Sequence, residues 1–395
     1  MPDVTGKMED DQLVIAFSGT VDSTNADETE ENIRKIRELN SSSSIILDFE
    51  KLNYISSAGL RIVLRLKQEV KNVIIINVRP EVYSVLEMTG FTEMMTVRKK
   101  YRVLSISGCE LIGRGSNGKV YQIDPETVAK VYIHDGALPN IHREQALSRA
   151  AFIAGIPTAI PYDVVRIKEG GYATVFELLN AVSFADLLIS GEKSLDEIVK
   201  MSDTLLKLIH SKRIDSDFKI PAMKPLAQGW IDDLNPFLEN SICQRLRELI
   251  KHVPDHPYIL HGDYHIKNIM YQNGESLLID LDTISYGHPV FELGSMYNVY
   301  VGFGEVNPDS LRHFLNISVE TAAEIWKMSL SAYLGTSDRN IIQETEKKAQ
   351  IIGMMRLMRR KVRRGGMETA EGRCAIDYYH NRLRELVPQV DTLEF

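Results

Sequence analysis

Three polar side chains in one part of the sequence have the types and spacing that phosphoryl transfer requires. Asp263 lies five residues before Asn268, and the apolar residues 277–279 lead directly to Asp280. Phosphoryl transfer needs a carboxylate that orients the attacking hydroxyl, and oxygen ligands that hold magnesium on the phosphates. We interpret Asp263 as the hydroxyl-orienting group and Asn268 and Asp280 as magnesium ligands. The alternative is a loop before a hairpin, with Asp263 as a turn residue and Asp280 as a surface acid.

A glycine-rich segment upstream has the pattern of a phosphate-binding hairpin. Gly113, Gly115 and Gly118 have the spacing G-x-G-x-x-G, and Val120 follows. Glycines let a hairpin approach phosphates closely and offer backbone NH groups, while a valine at this position covers adenine. Dinucleotide-binding folds share the spacing, but there a helix follows. Here a strand-like sequence follows, which favours an ATP site of the kinase type.

A lysine and an acid downstream complete the predicted nucleotide site. Lys130 lies in the apolar segment 127–133, where kinases have the lysine that bridges the α- and β-phosphates of ATP. A lysine among apolar strand residues is costly without a partner. We predict that Glu144, on a helix over residues 140–154, is that partner. The alternative is that Glu144 is a solvated helical acid.

The sequence around Asp263 resembles a known family of small-molecule kinases. Residues 261–270 are HGDYHIKNIM, with Gly262 where protein kinases of the eukaryotic type have arginine. Together with IDLD at 279–282, this segment resembles the aminoglycoside phosphotransferase family, in the branch with choline kinases. The resemblance implies a bilobal protein-kinase-like fold that uses ATP and Mg²⁺. It also implies that the main chain at Glu177 and Leu179, after a buried strand, contacts adenine.

Four further residues near this segment have open roles. We expect His261 to hydrogen-bond the backbone and fix the loop. Lys267 either neutralises the transferring phosphate or is merely exposed. Asp282, which we expect on the same face of a strand as Asp280, either adds a metal ligand or stiffens the site. Residues 287–293 resemble the G-D-P-x-x-D-L segment of the family, in which Glu292 replaces an aspartate, and we expect Glu292 to have a structural role.

A basic segment lies further downstream. Residues 356–364, RLMRRKVRR, contain six basic residues and precede Gly365. Cations are favoured in the last turn of a helix, and glycine commonly ends one. We favour this interpretation over a patch that binds phosphates or acids, since the whole chain is acidic.

The first hundred residues alternate between strand and helix patterns. The predicted order is a strand at 13–18, a helix that begins with the acids 27–31, a strand at 45–47, a helix within 54–68, a strand at 73–76 and a helix from Pro80. This order is typical of an α/β sandwich.

The segment 48–61, DFEKLNYISSAGLR, resembles the phosphorylatable turn of anti-sigma-factor antagonists, the STAS domain. In that family, phosphorylation of a serine in this turn switches partner binding. We predict Ser57 as the modified residue and Ser56 as the second choice. A hydroxyl before a helix caps free NH groups, and a phosphate would be held by the same groups. The alternative is that Ser57 is only an N-cap.

Composition limits the class of protein. The chain has 395 residues, 44% of them hydrophobic and 25% charged, which is typical of a globular protein with two or three domains. A net charge of −8 argues against a nucleic-acid binder. Cys109, Cys243 and Cys374 lack the spacing of a zinc site or a disulfide framework. Neither a secretory signal nor an apolar span of about 20 residues is present, so we expect a cytoplasmic protein without a membrane helix.

These patterns predict a two-domain chain of mixed class, α/β and α+β. A STAS α/β sandwich occupies residues 1–98, and a bilobal protein-kinase-like domain occupies 99–395, with an N-lobe over about 104–179 and a C-lobe over about 180–395. The expected partners are the nucleotide, an unidentified hydroxyl acceptor, and an anti-sigma factor or a kinase at the STAS domain.

The predicted activity is ATP-dependent transfer of phosphate to a hydroxyl of a small molecule. Two alternatives stay open. The kinase could modify a protein hydroxyl, such as a STAS serine of the same chain or of a partner. The chain could also be a non-catalytic nucleotide sensor in an anti-sigma pathway, although such a sensor would not need Asp263.

Overall fold

The computed structural model describes residues 3–9, 12–40, 42–115, 118–132, 137–213 and 220–395. The chain forms two compact units. The first comprises Met1–Ser105 and Val164–Gly170, and the second comprises Ile106–Asp163 and Gly171–Phe395.

The first unit is a five-stranded sheet with helices, in the order β1-β2-β3-β4-β5. Its elements are β1 (Asp3–Glu9), β2 (Gln12–Val21), α1 (Ala26–Leu39), β3 (Ser44–Ile55), α2 (Ser57–Glu69), β4 (Asn72–Val78), α3 (Pro80–Met88), α4 (Phe91–Met94), β5 (Thr96–Lys99) and β6 (Val103–Leu104). Strand β1 is antiparallel to β2, and the other neighbours in this sheet are parallel. Parallel neighbours need helical crossovers, which α1, α2 and α3 supply.

Apolar strand residues and one face of each helix form the core of this unit. Ile15, Leu47 and Ile75, from three adjacent strands, are fully buried. Ile33 of α1 and Val63 of α2 pack into the same cluster. The predicted α/β sandwich is therefore confirmed.

The strands differ from the prediction at two places. Strand β1 was not predicted, because its sequence is largely polar, and it forms through antiparallel pairing with β2. Strand β3 continues beyond the predicted residues 45–47, because its second half also pairs with β2, with Lys51 opposite Ser18 and Tyr54 opposite Thr20.

The second unit has a small antiparallel sheet, followed by a mainly helical part. Its elements in chain order are β7 (Glu110–Arg114), β8 (Gly118–Gln122), β9 (Thr127–Tyr132), α5 (Leu138–Ile153), β10 (Pro161–Ile167), β11 (Tyr172–Glu177), β12 (Val182–Ser183), α6 (Phe184–Ser190), α7 (Leu195–Ser211), α8 (Met223–Leu234), α9 (Asn240–His252), β13 (Ile259–Leu260), β14 (Ile269–Gln272), β15 (Glu275–Leu278), β16 (Ser285–Tyr286), α10 (Val290–Tyr297), α11 (Phe303–Val306), α12 (Pro308–Leu315), α13 (Val319–Leu334), α14 (Arg339–Arg363) and α15 (Ala370–Leu386). Strands β11, β9, β8 and β7 are neighbours in that order. Arg166 and Ile167 of β10 belong to the first unit and pair in parallel with Val103 and Leu104 of β6.

Two helices of this unit have the ends that their sequences favour. Helix α7 begins with a capping box formed by Ser194 and Glu197. The long helix α14 ends before Gly365, which has a left-handed φ of 73°, so the predicted glycine stop is confirmed. None of the helices formed by the described residues is long and apolar enough to cross a membrane.

Candidate active site

The glycine-rich segment forms the hairpin of β7 and β8 and lines a cavity. Gly113 pairs with Val120 across the two strands, and the Gly115 NH donates to the Gly118 carbonyl at 2.9 Å. Residues 116 and 117 lie outside the described residues. A Cβ at Gly118 would collide with the Val131 carbonyl of the neighbouring strand. The cavity has a volume of about 1010 Å³ and is lined by residues of the second unit.

Lys130 on β9 contacts two carboxylates inside this cavity. Its Nζ lies 2.7 Å from Oε1 of Glu144 and 2.7 Å from Oδ1 of Asp280. Glu144 is only 4% exposed and also accepts a hydrogen bond from the Tyr132 hydroxyl. The interpretation of Glu144 as a solvated acid is therefore wrong. Burial alone would lower the pKa of Lys130, but the two carboxylates raise it above its ordinary value and keep the lysine charged.

A short hairpin brings Asn268 and Asp280 together. Asn268 directly precedes β14, Asp280 follows β15, and the Ile279 NH donates to the Asn268 carbonyl at 3.0 Å. The Asn268 side chain donates from Nδ2 to the Asp263 carbonyl at 3.0 Å, so its Oδ1 is available to a cation. Asp280 has a left-handed φ of 62°. The residue is therefore not part of a regular strand, although the sequence suggested one.

Asp263 lies in the loop before β14 and lines the same cavity. Its Oδ2 is 3.6 Å from Nε2 of His265. Burial alone would raise the pKa of Asp263, but the interaction with His265 and the charge of Arg356 lower it to about 2. Asp263 is therefore a carboxylate at neutral pH and accepts, rather than donates, a hydrogen bond. A hydroxyl of a bound molecule would donate to it.

His261 fixes the Asp263 loop from within. Its Nδ1 accepts a hydrogen bond from the Asp263 backbone NH at 3.2 Å, and its Nε2 lies 3.1 Å from the Ile279 carbonyl. Because Nδ1 accepts, the proton of the neutral ring is on Nε2, which donates to Ile279. The predicted backbone role of His261 is therefore present.

Glu292 of α10 holds the same loop through its backbone NH groups. Its side chain is fully buried and accepts hydrogen bonds from the backbone NH groups of His261 and Gly262. Gly262 has a φ of +82°, and a Cβ there would lie 2.6 Å from the Thr283 carbonyl, so glycine is required. The acid that departs from the family pattern thus has a structural role.

Sequence reasoning missed two residues that hold the loop. Arg356 donates to the Gly262 carbonyl and, at 2.8 Å, to Oγ of Ser295. Ser295 in turn donates to the Gly262 carbonyl at 2.7 Å. The only signal for Arg356 was its place in the basic segment, and no local pattern indicated Ser295.

Asp282 does not share a strand face with Asp280, so the expectation that the two acids lie on one face of a strand is wrong. Strand β15 ends at Leu278, and Asp282 lies in a 3-10 helix, Leu281–Thr283, that begins after the left-handed Asp280. Burial and the charge of Asp280 raise the pKa of Asp282 to about 7. The carboxylates of Asp280 and Asp282 are therefore close enough to interact, although Asp280 has a left-handed backbone and Asp282 lies in a 3-10 helix.

The donor set fits a magnesium ion that also binds phosphates. An amide oxygen from Asn268 and the carboxylate of Asp280 are hard oxygen ligands, and magnesium in nucleotide sites commonly uses one or two protein oxygens, phosphates and water. Within the described ranges, no group of three or more His, Cys, Asp or Glu side chains could hold a metal. Because Asn268 and Asp280 supply two protein oxygens, phosphate oxygens and water would complete the octahedral coordination of a magnesium ion.

One group of the residues that line the cavity is apolar, and we call it the apolar wall. Apolar side chains that line it are Ile112, Val120, Val128, Phe176, Met270 and Ile279. The Glu177 NH donates to the Ile160 carbonyl at 3.0 Å, which leaves only its carbonyl for a ligand. Leu179 makes no main-chain hydrogen bond to the part of the chain that the structure describes. Its NH and carbonyl are therefore available to a base.

Lys267 contacts the backbone of Phe314. Its Nζ donates to the Phe314 carbonyl at 2.8 Å, and its side chain is exposed. Lys267 is thus exposed, as one of the two interpretations expected. It also lines the cavity, so contact with a transferred phosphate stays a prediction.

In the first unit, the two serines before α2 have different environments. Ser56 is the N-cap, and its side chain accepts from the Gly59 NH at 3.5 Å. Ser57 is the first residue of the helix and is exposed, and its side chain makes no hydrogen bond to the described residues. The interpretation of Ser57 as an N-cap is therefore wrong. Its phosphorylation stays a prediction.

Two protein-family models match the chain. A model of the STAS domain matches residues 3–103, and a model of the phosphotransferase enzyme family matches residues 108–317. The second match covers more than half of the chain. The chain therefore belongs to the phosphotransferase enzyme family and carries a STAS domain at its N-terminal end.

Comparison with known proteins gives relatives for both parts. The chain is 32% identical over 92 residues to a putative anti-sigma factor antagonist, BtrV, of Bordetella bronchiseptica, which covers 22% of this chain and 78% of the relative. A choline/ethanolamine kinase family protein from Mesorhizobium loti has a TM-score of 0.45 at 15% identity, covering 70% of this chain and 87% of that one. The aminoglycoside phosphotransferase APH(4)-Ia has a TM-score of 0.48 at 12% identity, covering 71% and 93%.

Proposed function

We propose that the second unit is an ATP-dependent kinase that transfers the γ-phosphate to a hydroxyl of a small molecule. One observation carries this proposal: Lys130, Asn268, Asp280 and Asp263, from separate parts of the sequence, line a single cavity. A non-catalytic nucleotide sensor would have no use for an ionised Asp263 beside the phosphate-binding groups.

In this proposal ATP lies beneath the β7–β8 hairpin. The apolar wall holds the adenine, with the main chain of Glu177 and Leu179 at its edge. Gly113, Gly115 and Gly118 have no side chains, so the backbone of the hairpin can approach the phosphates closely. Lys130, held by Glu144, contacts the α- and β-phosphates, as the corresponding lysine of kinases does.

Asn268 and Asp280 would hold magnesium, which neutralises charge on the phosphates when bound. Asp280 contacts Lys130 in the structure, so nucleotide binding would replace that ion pair with contacts from both groups to the ligand. Asp263 accepts a hydrogen bond from the acceptor hydroxyl and directs its oxygen at the γ-phosphate. The fixed loop supplies this orientation before the acceptor arrives.

A transfer assay with matched variants tests this function. The full chain is incubated with Mg-ATP and hydroxyl compounds, and phosphorylated products are detected by mass spectrometry. Asp263→Asn should abolish product formation, whereas Asp255→Asn, which changes an exposed acid that does not line the cavity, should not. ATP binding without transfer to any acceptor, including protein, would overturn the proposal in favour of a sensor.

A protein hydroxyl is the second candidate acceptor, because the Ser57 hydroxyl is exposed and unpartnered among the described residues. We propose that Ser57, with Ser56 as the second choice, is phosphorylated in the same chain or in a partner's STAS domain. Phosphate on Ser57 detected after incubation with Mg-ATP, and absent in Asp263→Asn, would identify the chain as its own kinase. Phosphate on neither serine would direct attention to small molecules.

For the first unit we propose binding to an anti-sigma factor or a kinase partner, as the name of the Bordetella relative suggests. A phosphate on Ser57 would add a charge of about −2 at an exposed helix end and disrupt a fitted interface. We place the domain boundary near residue 98. A cytoplasmic location, where ATP and magnesium are available, is part of this proposal.

A further inference from the structure

The part of the cavity beyond Asp263 has an excess of positive charge. We call this part the acceptor side. Four Lys and Arg side chains line it, and Glu371 is the one acid among its described lining residues besides Asp263. The four cations are Lys267, Arg360, Lys361 and Arg364. A ligand that carried positive charge would be repelled here.

Four arginines at the C-terminal end of α14, the last of them the C-cap Arg364, form two groups. Arg356 donates to the Asp263 loop, and Arg359 forms an ion pair with Asp233, so both have structural partners. The side chain of Arg360 makes no hydrogen bond or ion pair to the described residues, and its guanidinium carbon lies 5.4 Å from the centroid of the Phe303 ring. Arg364 likewise makes no side-chain hydrogen bond or ion pair to the described residues. The second group thus has free hydrogen-bond donors in the cavity.

Arg360 and Arg364 also repel each other. They are four residues apart at the end of one helix, where like charges are neighbours and destabilise the helix. Although Arg360 is open to the solvent of the cavity, surrounding protein and the charge of Arg364 lower its pKa. Arg360 also interacts electrostatically with Asp263. An anion between the two arginines would remove the repulsion and would lie close to the hydroxyl-orienting carboxylate.

Lys361 and Lys267 are less available. Lys361 lies 3.9 Å from Glu371, whose side chain is largely exposed, and Lys267 already donates to the Phe314 carbonyl. Arginine pairs with phosphate or carboxylate through two parallel NH groups, which makes Arg360 and Arg364 the stronger anion ligands.

We propose that the acceptor is a hydroxyl compound that also carries a phosphate or carboxylate group, bound by Arg360 and Arg364 while its hydroxyl contacts Asp263. This inference rests on the proposed phosphotransferase activity, and it names the class of acceptor. The hydroxyl oxygen would bond to the γ-phosphorus, the bond from that phosphorus to the β–γ bridging oxygen would break, ADP would leave, and the hydroxyl proton would pass to solvent through Asp263.

An anion-binding measurement tests the acceptor side without knowledge of the true acceptor. The full chain is saturated with Mg-AMP-PNP, so that the γ-phosphate position is filled, and inorganic phosphate or malonate is titrated calorimetrically at constant ionic strength. We expect saturable binding that Arg360→Gln weakens by about 10-fold or more, as loss of a charge-assisted contact implies. Arg363→Gln, an exposed arginine of the same helix that does not line the cavity, should bind normally. Absent binding, or equal binding by the Arg360 variant, would overturn the inference.

A transfer assay then compares acceptors that differ only in charge. Glycerol, glycerol 3-phosphate, glycerate and choline are offered with Mg-ATP, and the phosphate and carboxylate compounds show which anion is preferred. We expect kcat/KM to be highest for an anionic alcohol and to fall in Arg360→Gln for that compound alone, with the KM for ATP unchanged. Preference for glycerol or choline, or a raised KM for ATP, would overturn the inference.

The two proposals fail in different ways. Asp263→Asn should lose transfer but keep anion binding, because its carboxylate is not an anion ligand. If anions bind and Asp263→Asn transfers phosphate as well as the unaltered chain, the catalytic proposal is wrong. If transfer depends on Asp263 but is equal for neutral and anionic alcohols, only the acceptor class is wrong.

Discussion

Polar side chains in the cavity of the second unit are held by protein contacts, whereas one of the two serines in the turn of the first unit is not. Lys130 is held between Glu144 and Asp280, and the loop of Asp263 is fixed by His261 and by backbone contacts. Each group is positioned before any ligand arrives. Such pre-positioning is what orientation in catalysis requires.

In the serine turn, by contrast, only Ser56 has a structural task, as the cap of α2. Ser57 is exposed, and its hydroxyl is not held by any described residue. A group that acts on a ligand must be fixed, whereas a group that another enzyme modifies must be reachable. This difference supports our proposals that the cavity is the catalytic site and that the turn is a candidate substrate.

The largest expected effect comes from the fixed carboxylate. Asp263→Asn should lower kcat by about 10²- to 10⁴-fold, because the amide cannot accept the hydroxyl proton. Affinity for Mg-AMP-PNP, measured by calorimetry, should not change. Retained activity would show that Asp263 does not act in transfer, and the comparison between a fixed catalytic carboxylate and the exposed Ser57 would fail.

Removal of the lysine should affect both stability and nucleotide binding. Lys130→Met leaves the buried Glu144 without its cation, and we expect a loss of about 3 kcal/mol in the free energy of unfolding. The double variant with Glu144→Gln should recover stability in denaturant titrations but still bind ATP poorly. Normal ATP binding by the double variant would contradict a phosphate contact from Lys130.

The buried acid beneath the loop should show a pH-dependent effect. Burial would raise the pKa of Glu292, but interaction with His210 and His261 and the Gly262 NH lower it below its ordinary value of 4.5. Its contribution to stability is therefore fully present above pH 4.5 and is lost as the pH falls through the lower folded-state pKa. Glu292→Gln should cost about 2 kcal/mol at pH 7.

The measurement for Glu292 is a series of denaturant titrations between pH 7 and pH 3. The difference between the unaltered chain and the variant should shrink as the pH falls, because protonated Glu292 resembles glutamine in charge. A difference that stays constant over this range would show that the ionised form is not what holds the loop.

The smallest expected effect separates the two serines. Ser56→Ala should reduce hydrogen-exchange protection of the first turn of α2 by about 1 kcal/mol, as loss of an N-cap does. Ser57→Ala should change it by less than about 0.5 kcal/mol, because the side chain has no structural partner. Equal effects would mean that Ser57 is not simply an exposed hydroxyl.

The residues that we propose for the nucleotide side of the cavity could be selected from the sequence, because they lie in short segments with fixed spacing. The hairpin of β7 and β8, the lysine on β9 and the pair around the β14–β15 hairpin each depend on local structure. The partner of Lys130 could also be predicted, since a buried lysine needs a charge and Glu144 is on the next helix.

The sequence offered a patch that binds phosphates or acids at 356–364 only as the less favoured alternative, because the residues of the acceptor side meet only in the folded chain. Arg360 and Arg364 looked like an ordinary helix end, and that interpretation is correct for the backbone of α14. Only the structure separates them from Arg356 and Arg359, which have protein partners. The left-handed Asp280 was also missed, because the apolar run before it suggested a continuous strand.

A crystal structure with Mg-AMP-PNP tests the central claim most directly. We predict the nucleotide beneath the β7–β8 hairpin, magnesium on Asn268 and Asp280, and the γ-phosphate facing the carboxylate of Asp263. A γ-phosphate far from that carboxylate, or a nucleotide bound outside this cavity, would contradict the account.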